Sequence, residues 1–196
     1  MHIVLFGGAF DPPHLGHISV VQNFLKLGIS DRLVFLPVFD HAFDKDMMDP
    51  QHRLQMLEAV KNAHFKDQPV YISDYEIDKE GMSITYETLQ SLSQENPNNE
   101  YSFLIGSDNL SSFDKWHHYQ EMLEQYKFFV YPRAGYYFDQ IREGMIPLRD
   151  MPEMAVSSTD VRTRLKNNEK IEELLSKEVI NYIKENKLYF STCVFD

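Results

Sequence analysis

The sequence predicts an α/β protein with a Rossmann-like parallel sheet, helices on both of its faces and a small helical C-terminal part. Short apolar runs alternate along the chain with segments of helical character, which is the pattern of a parallel sheet. Of the 196 residues, 43% are hydrophobic and 25% are charged, a composition typical of a globular domain with a sizeable core. We expect a single domain over residues 1–190, followed by a tail over residues 191–196.

Six short apolar runs are the predicted strands, and helical or loop segments separate them along the chain. The first reads Ile-Val-Leu-Phe and stops at two glycines, and the fourth stops at Gly106. The predicted strands cover residues 3–6, 33–36, 70–73, 101–105, 128–131 and 154–156.

Helices are predicted between these strands from apolar residues at helical spacing. In the first helix, Ile18, Val21 and Leu25 share one face. The predicted helices cover residues 15–27, 52–62, 85–94, 159–166 and 177–185, with an irregular helical stretch over residues 110–125. Residues 136–151 have mixed charge and weak periodicity, so we interpret them as a loop or an irregular connection.

The charge and cysteine content narrow the classes of partner. A formal net charge of −11 argues against a nucleic-acid polymer or an anionic membrane surface. The single cysteine, Cys193, excludes an intrachain disulfide and a cysteine zinc cluster, and fits a reducing cytoplasm. No run approaches the roughly 20 apolar residues of a spanning helix, and no signal peptide is expected. The sequence is compatible with both a monomer and a homo-oligomer.

Residues 7–17 read Gly-Gly-Ala-Phe-Asp-Pro-Pro-His-Leu-Gly-His and join the first strand to the first helix. A glycine loop exposes backbone N–H groups and a helix N-terminus adds its dipole, while two imidazoles one turn apart can donate to the same oxygens. This arrangement predicts a phosphate site. Alternatives are a tight turn whose histidines only cap or pack, and a metal site on His14 and His17, for which no third ligand is evident nearby.

A second polar group follows the last predicted strand, where Ser157, Ser158 and Thr159 open a helix that carries Arg162. Hydroxyls and N–H groups at a helix start bind anions, and arginine can hold a triphosphate through two hydrogen bonds. The alternative is an ordinary serine cap beside a solvated arginine.

Both motifs resemble the superfamily of adenylyltransferases and cytidylyltransferases that carries His-x-Gly-His. Its signature is Gly-Gly-Thr-Phe-Asp-Pro-x-His-x-Gly-His, from which this chain departs by Ala9 in place of the hydroxyl residue. The loss is one side-chain hydrogen bond, worth roughly 0.5–1.5 kcal/mol. The second motif resembles the superfamily's Ile-Ser-Ser-Thr-x-Ile-Arg element.

The middle of the chain resembles the bacterial nicotinate mononucleotide adenylyltransferases. Residues 83–89 are similar to that family's Ser-Tyr-Thr-x-Asp-Thr-Leu, with Ile84 and Glu87 as departures. Residues 106–108 resemble its Gly-Ala-Asp loop, Trp116 its pyridine-pocket tryptophan and residues 131–135 its Arg-x-Gly stretch. After the second strand the family's Pro-His-Lys is missing, and His41 and Lys45 are the candidates to replace it.

The resemblance implies adenylyl transfer from ATP to a pyridine mononucleotide, with Mg²⁺ bound to ATP and no protein metal site. The implied catalytic residues are His14, His17 and Lys45. The residues implied to bind ATP are Gly7, Gly8, Ala9, Phe10, His14, His17, Asp108, Ser157, Ser158, Thr159 and Arg162. The residues implied to bind the pyridine nucleotide are Thr85, Trp116 and Arg133. Other adenylyltransferases, such as those acting on phosphopantetheine, and a non-catalytic nucleotide-binding regulator are the alternatives.

Overall fold

The computed structural model describes residues 1–40 and 47–189, and within these residues six strands form one parallel sheet. The strands are β1 (His2–Gly8), β2 (Arg32–Pro37), β3 (Val70–Ile72), β4 (Glu100–Gly106), β5 (Lys127–Tyr131) and β6 (Met145–Pro147). Their order across the sheet is β3-β2-β1-β4-β5-β6, and every neighbouring pair runs parallel.

Five of the six predicted strands are confirmed, and the sixth was misplaced. The structure puts β6 inside the segment that we interpreted as a loop, where Met145 pairs with Phe128 of β5. Residues 154–156 form no strand, and Met154 makes only an isolated bridge with Arg133. The edge strand β6 has only three residues and ends in proline, so its sequence is too short to show a strand period. Residues 154–156 resembled a strand because they are apolar, but Met154 is buried in the core without belonging to one.

Seven α-helices surround the sheet in the described residues. They are α1 (Leu15–Lys26), α2 (Pro50–His64), α3 (Tyr75–Lys79), α4 (Thr85–Glu95), α5 (Tyr119–Gln125), α6 (Ser158–Lys166) and α7 (Lys177–Glu185). The predicted irregular stretch over 110–125 is a 3₁₀ helix, Ser107–Lys115, followed by α5. The five-residue α3 was not predicted, because one turn and a half shows no periodicity.

The core lies on both faces of the sheet, as alternation along β1 requires. Val4 and Phe6 join a cluster that includes residues of α1, α2, α6 and α7. Ile3 and Leu5 join a second cluster that includes residues of α4, the 3₁₀ helix and α5. The central strands are therefore covered on both sides, and their exposed ends are the places where a ligand can reach the sheet.

The chain leaves the neighbouring strands β1 and β4 toward opposite faces of the sheet, to α1 after β1 and to the 3₁₀ helix after β4. In open parallel sheets, a crevice forms where such connections diverge, at the carboxyl ends of the strands. Here that crevice lies between Gly7-Gly8 and Gly106. No helix among the described residues is long and apolar enough to cross a membrane.

Candidate active site

A cavity of about 550 Å³ opens at the carboxyl ends of β1 and β4, within the size range of ligand sites. Its walls include ten of the residues predicted for ATP and for the pyridine nucleotide. These ten are Gly7, Gly8, His14, His17, Thr85, Asp108, Trp116, Arg133, Ser157 and Ser158. The structure therefore brings together, around one space, motifs that lie 150 residues apart in the chain.

His14 and His17 begin α1 by capping each other. His14 is the N-cap, and its Nδ1 accepts a hydrogen bond from the backbone N–H of His17 at 3.4 Å. In return, Nδ1 of His17 accepts from the backbone N–H of His14 at 3.1 Å. The two rings stack with centroids 3.6 Å apart. This reciprocal capping box fixes both imidazoles at the head of the cavity, so their capping role and a ligand-binding role coexist.

Their surroundings favour the neutral form of both histidines. Burial, with the positive charge of Arg133 second, lowers the pKa of His14 to about 3. Burial also lowers the pKa of His17 well below its usual value, and His14 and Arg133 act in the same direction. Because each Nδ1 accepts a backbone N–H, we assign the single ring proton to Nε2. Each ring then keeps one N–H donor for a ligand.

Position 16, between the two histidines, leaves no room for a side chain because the His14 ring lies against it. A Cβ at position 16 would lie 2.9 Å from both Cε1 and Nδ1 of His14, which is far below an ordinary van der Waals contact. Gly106 meets a similar constraint after β4, because a Cβ there would overlap the Asp108 carboxylate and the side chain of Arg133. The backbone at both places is thus close to the groups that line the cavity.

Arg133 enters the cavity from the end of β5 on the histidine side. Its backbone N–H donates to Ser107 Oγ at 2.9 Å, and its Nη1 donates to the carbonyl of Val156 at 2.8 Å. Its Nε lies 3.6 Å from Asp108 Oδ2. The guanidinium is consequently held in place before any ligand arrives, and its charge reaches both histidines.

The start of α6 closes the cavity beside the histidines. Ser157 caps this helix by accepting from the backbone N–H of Asp160, and Ser158 Oγ donates to the carbonyl of Pro12 at 3.0 Å. Arg162 lies one turn further along and donates from Nη1 to the carbonyl of Asp11 at 2.7 Å. Ala9, Phe10, Thr159 and Arg162 are not among the cavity-lining residues. Phe10 instead packs edge-on against the His17 ring, with centroids 4.9 Å apart.

The opposite wall is formed by the start of α4 and by the segment after the 3₁₀ helix. Thr85 and Tyr86 open α4, whose N-terminus has no side-chain cap. Trp116 stacks on Phe113 with ring centroids 5.0 Å apart while also lining the cavity. Trp116 therefore packs against the core through Phe113 and also forms part of the cavity wall.

Sequence reasoning assigned no role to several other cavity residues, among them Asp40, Glu76 and Tyr86. Glu76 is buried and accepts from Thr88 Oγ1 at 2.8 Å, and burial raises its pKa despite hydrogen bonds from Ser83 and Thr88. The available signal for Tyr86 was its place inside the motif over residues 83–89, directly after Thr85. His41, Lys45 and the tail 191–196 lie outside the described residues.

Comparisons with known proteins identify the chain's relatives. The cytidylyltransferase-like family model matches residues 5–164. A probable nicotinate-nucleotide adenylyltransferase of Oceanobacillus iheyensis is 34% identical over 190 residues, covering 95% of this chain and 96% of that protein. The nicotinate-nucleotide adenylyltransferase of Bacillus subtilis is 35% identical over 195 residues, covering 96% of this chain and 98% of that protein.

A solved structure supports the same fold. Plasmodium falciparum nicotinic acid mononucleotide adenylyltransferase complexed with NaAD superposes with a TM-score of 0.80 at 21% identity, covering 96% of this chain and 97% of that one. Together with the glycine loop, the paired histidines and the α6 motif around one cavity, the family match and the full-length relatives show that this chain belongs to the cytidylyltransferase-like family, in its group of nicotinate-nucleotide adenylyltransferases.

Proposed function

We propose that this protein transfers the adenylyl group of ATP to nicotinate mononucleotide, giving the dinucleotide and pyrophosphate. The observation that carries the proposal is one cavity whose two walls differ in chemistry. On one side lie the His14–His17 pair, Arg133 and the start of α6, and on the other lie Thr85 and Trp116. The names of the full-length relatives support the same reaction.

The transfer is a direct in-line displacement. The 5′-phosphate of the acceptor attacks the α-phosphorus of ATP, one P–O bond forms, and the bond to the pyrophosphate oxygen breaks. The acceptor phosphate is already ionised at pH 7, so the reaction needs no general base and no nucleophilic side chain. Positioning the two nucleotides accounts for roughly 7–11 kcal/mol of the barrier. Donors aimed at the developing charge supply the rest.

The histidines are suited to this task because they are pre-positioned. In our assignment, Nε2–H of His17 donates to the α-phosphate oxygens in the transition state, and Nε2–H of His14 donates to the ATP phosphates. Arg133, fixed beside them by Val156 and Asp108, binds the 5′-phosphate of the pyridine nucleotide. Ser157, Ser158, Thr159 and Arg162 hold the β- and γ-phosphates, with Gly7 to Phe10 supplying backbone N–H groups. Lys45 is a further candidate for a phosphate contact.

Mg²⁺ is the proposed cofactor, and it enters with ATP. Among residues 1–40 and 47–189, no cluster of three or more His, Cys, Asp or Glu side chains is placed to hold a metal ion. The cavity wall offers isolated carboxylates, such as Asp108. This donor set fits an ion that keeps most of its ligands as water and phosphate oxygens. Bound there, Mg²⁺ supplies charge neutralisation of the triphosphate.

The acid form of the acceptor is favoured by the start of α4. A carboxylate on the pyridine ring requires N–H donors, whereas a carboxamide requires a mixed donor and acceptor pair. Thr85 and Tyr86 lie on the cavity wall at a helix N-terminus that no side chain caps, and such N–H groups favour an anion. We also propose the cytoplasm as the place of the reaction.

Pyrophosphate release from ATP tests the proposal when it is measured with four acceptor conditions. The conditions are nicotinate mononucleotide, nicotinamide mononucleotide, phosphopantetheine and no acceptor. We expect kcat/KM for nicotinate mononucleotide to exceed that for the amide at least tenfold, or about 1.4 kcal/mol. Preference for phosphopantetheine would make this another adenylyltransferase. ATP binding without release under any condition would make it a nucleotide-binding regulator.

A further inference from the structure

A buried polar cluster lies behind the phosphate side of the cavity, and the proposed reaction does not use it directly. Its centre is Asp11, whose side chain is 1% exposed. One carboxylate oxygen, Oδ1, accepts from the hydroxyl of Tyr189. The other, Oδ2, accepts from the backbone N–H of Met48 at 3.1 Å. A residue 178 positions further along the chain therefore holds a side chain of the loop that leads to His14.

The same loop is held from a second direction by Arg53, which is fully buried. Arg53 donates to the carbonyls of Ala9 at 2.8 Å and Met48 at 2.9 Å. The loop backbone between β1 and α1 is thus fixed largely without Tyr189. The hydrogen bond from Tyr189 fixes the Asp11 carboxylate in addition. Loss of this hydroxyl should therefore affect the carboxylate more than the backbone of the loop.

Arg162 connects this carboxylate to the triphosphate side. Its Nη1 donates to the carbonyl of Asp11 at 2.7 Å and lies 3.8 Å from Asp11 Oδ2. The second distance is that of an ion pair and is longer than a hydrogen bond, so the position of the guanidinium is coupled to that of the carboxylate. Neither Asp11 nor Tyr189 lines the cavity.

We infer that Tyr189 is a positioning residue for ATP: by binding Asp11 Oδ1, it fixes the Asp11 carboxylate, and the fixed carboxylate helps to hold the Arg162 guanidinium in place for the triphosphate. Without the hydroxyl, Oδ1 would be a buried anionic oxygen that has lost its donor, which is costly. The carboxylate would then shift to recover a partner, and Arg162, whose Nη1 lies 3.8 Å from Oδ2, would shift with it. The inference rests on the proposed function, in which Arg162 binds the β- and γ-phosphates.

Tyr189→Phe tests the inference, because it removes the hydroxyl and keeps the ring. The matched control is Tyr182→Phe on α7, whose hydroxyl bonds His52 Nδ1 at 2.9 Å and does not touch the loop. We expect Tyr189→Phe to raise KM for ATP about three- to tenfold, with the acceptor KM changed less than twofold. Calorimetric titration with ATP and Mg²⁺ should show the same weakening. The control should change neither KM.

A double variant tests the route through Arg162. If Tyr189 acts through Arg162, then Tyr189→Phe should add less than twofold to the ATP KM of Arg162→Lys, so the two effects do not multiply. An unchanged ATP KM in Tyr189→Phe, an equal rise in both KM values, or an equal rise in the control would overturn the inference. If the wild type transfers to no acceptor, the proposed function fails, and the calorimetric ATP affinities still decide the role of Tyr189.

Discussion

Gly16→Ala is expected to slow catalysis without destabilising the protein. The added methyl would lie 2.9 Å from two atoms of the His14 ring, where about 3.5 Å is the shortest comfortable contact. The ring must therefore shift by about 0.5 Å. A misplacement of 1 Å costs about 10²-fold in rate, so roughly a tenfold fall in kcat follows from half that shift. Alanine is also the better helix former by up to about 1 kcal/mol, which opposes any loss of stability from the moved ring.

The assay combines pyrophosphate release with thermal unfolding, and Gln22→Ala on the exposed face of α1 serves as the control. The expected result is a kcat about tenfold lower with a Tm close to that of the wild type. The control should be unchanged in both. If Gly16→Ala keeps its kcat within twofold, the His14 ring does not need the position that the structure gives it, and the reasoning from the capping box fails.

Three further predictions concern the histidines and the pyridine wall. His17→Asn keeps an acceptor near the Nδ1 position and removes the Nε2–H, so kcat should fall about 10²-fold with little change in Tm; an unchanged kcat contradicts the assignment. Trp116→Ala should raise the acceptor KM about 2- to 30-fold, and acceptor binding should quench the fluorescence of this sole tryptophan; no quenching together with an unchanged KM would make Trp116 a core anchor alone. Because the folded-state pKa of His14 is about 3, the unfolded chain binds the additional proton, and His14 should contribute a fall of about 2 kcal/mol to the free energy of unfolding between about pH 7 and pH 5. Urea unfolding at the two pH values checks this, and a His14→Gln variant with the same pH dependence as the wild type would refute it.

The sequence was sufficient to predict the central fold because the inner strands are long and apolar. Residues 3–6 and 101–105 lie in β1 and β4, and both end at glycines where the cavity begins. The edge strand β6 could not be found, since three residues ending in proline carry no periodicity. The short α3 escaped prediction for the same reason.

The candidate site, like the fold, could be predicted only in part. Contiguous motifs located the histidines and Ser157–Ser158 by themselves, because each motif forms one local turn. The contacts that hold these motifs depend on distant residues: Arg133 reaches Val156, and Tyr189 reaches Asp11. Spacing along the chain contains no information on such pairs. The reciprocal capping that fixes the ring nitrogens of His14 and His17 is likewise visible only in three dimensions.

Transfer of label from ATP tests the central claim most directly. ATP labelled at the α-phosphate and nicotinate mononucleotide are incubated with the wild type and with His17→Asn, and the products are separated. The account predicts that the wild type moves the label into a dinucleotide only when the acceptor is present, while His17→Asn does so about 10²-fold more slowly. A wild-type protein that leaves all the label in ATP, or a His17→Asn variant as fast as the wild type, would contradict it.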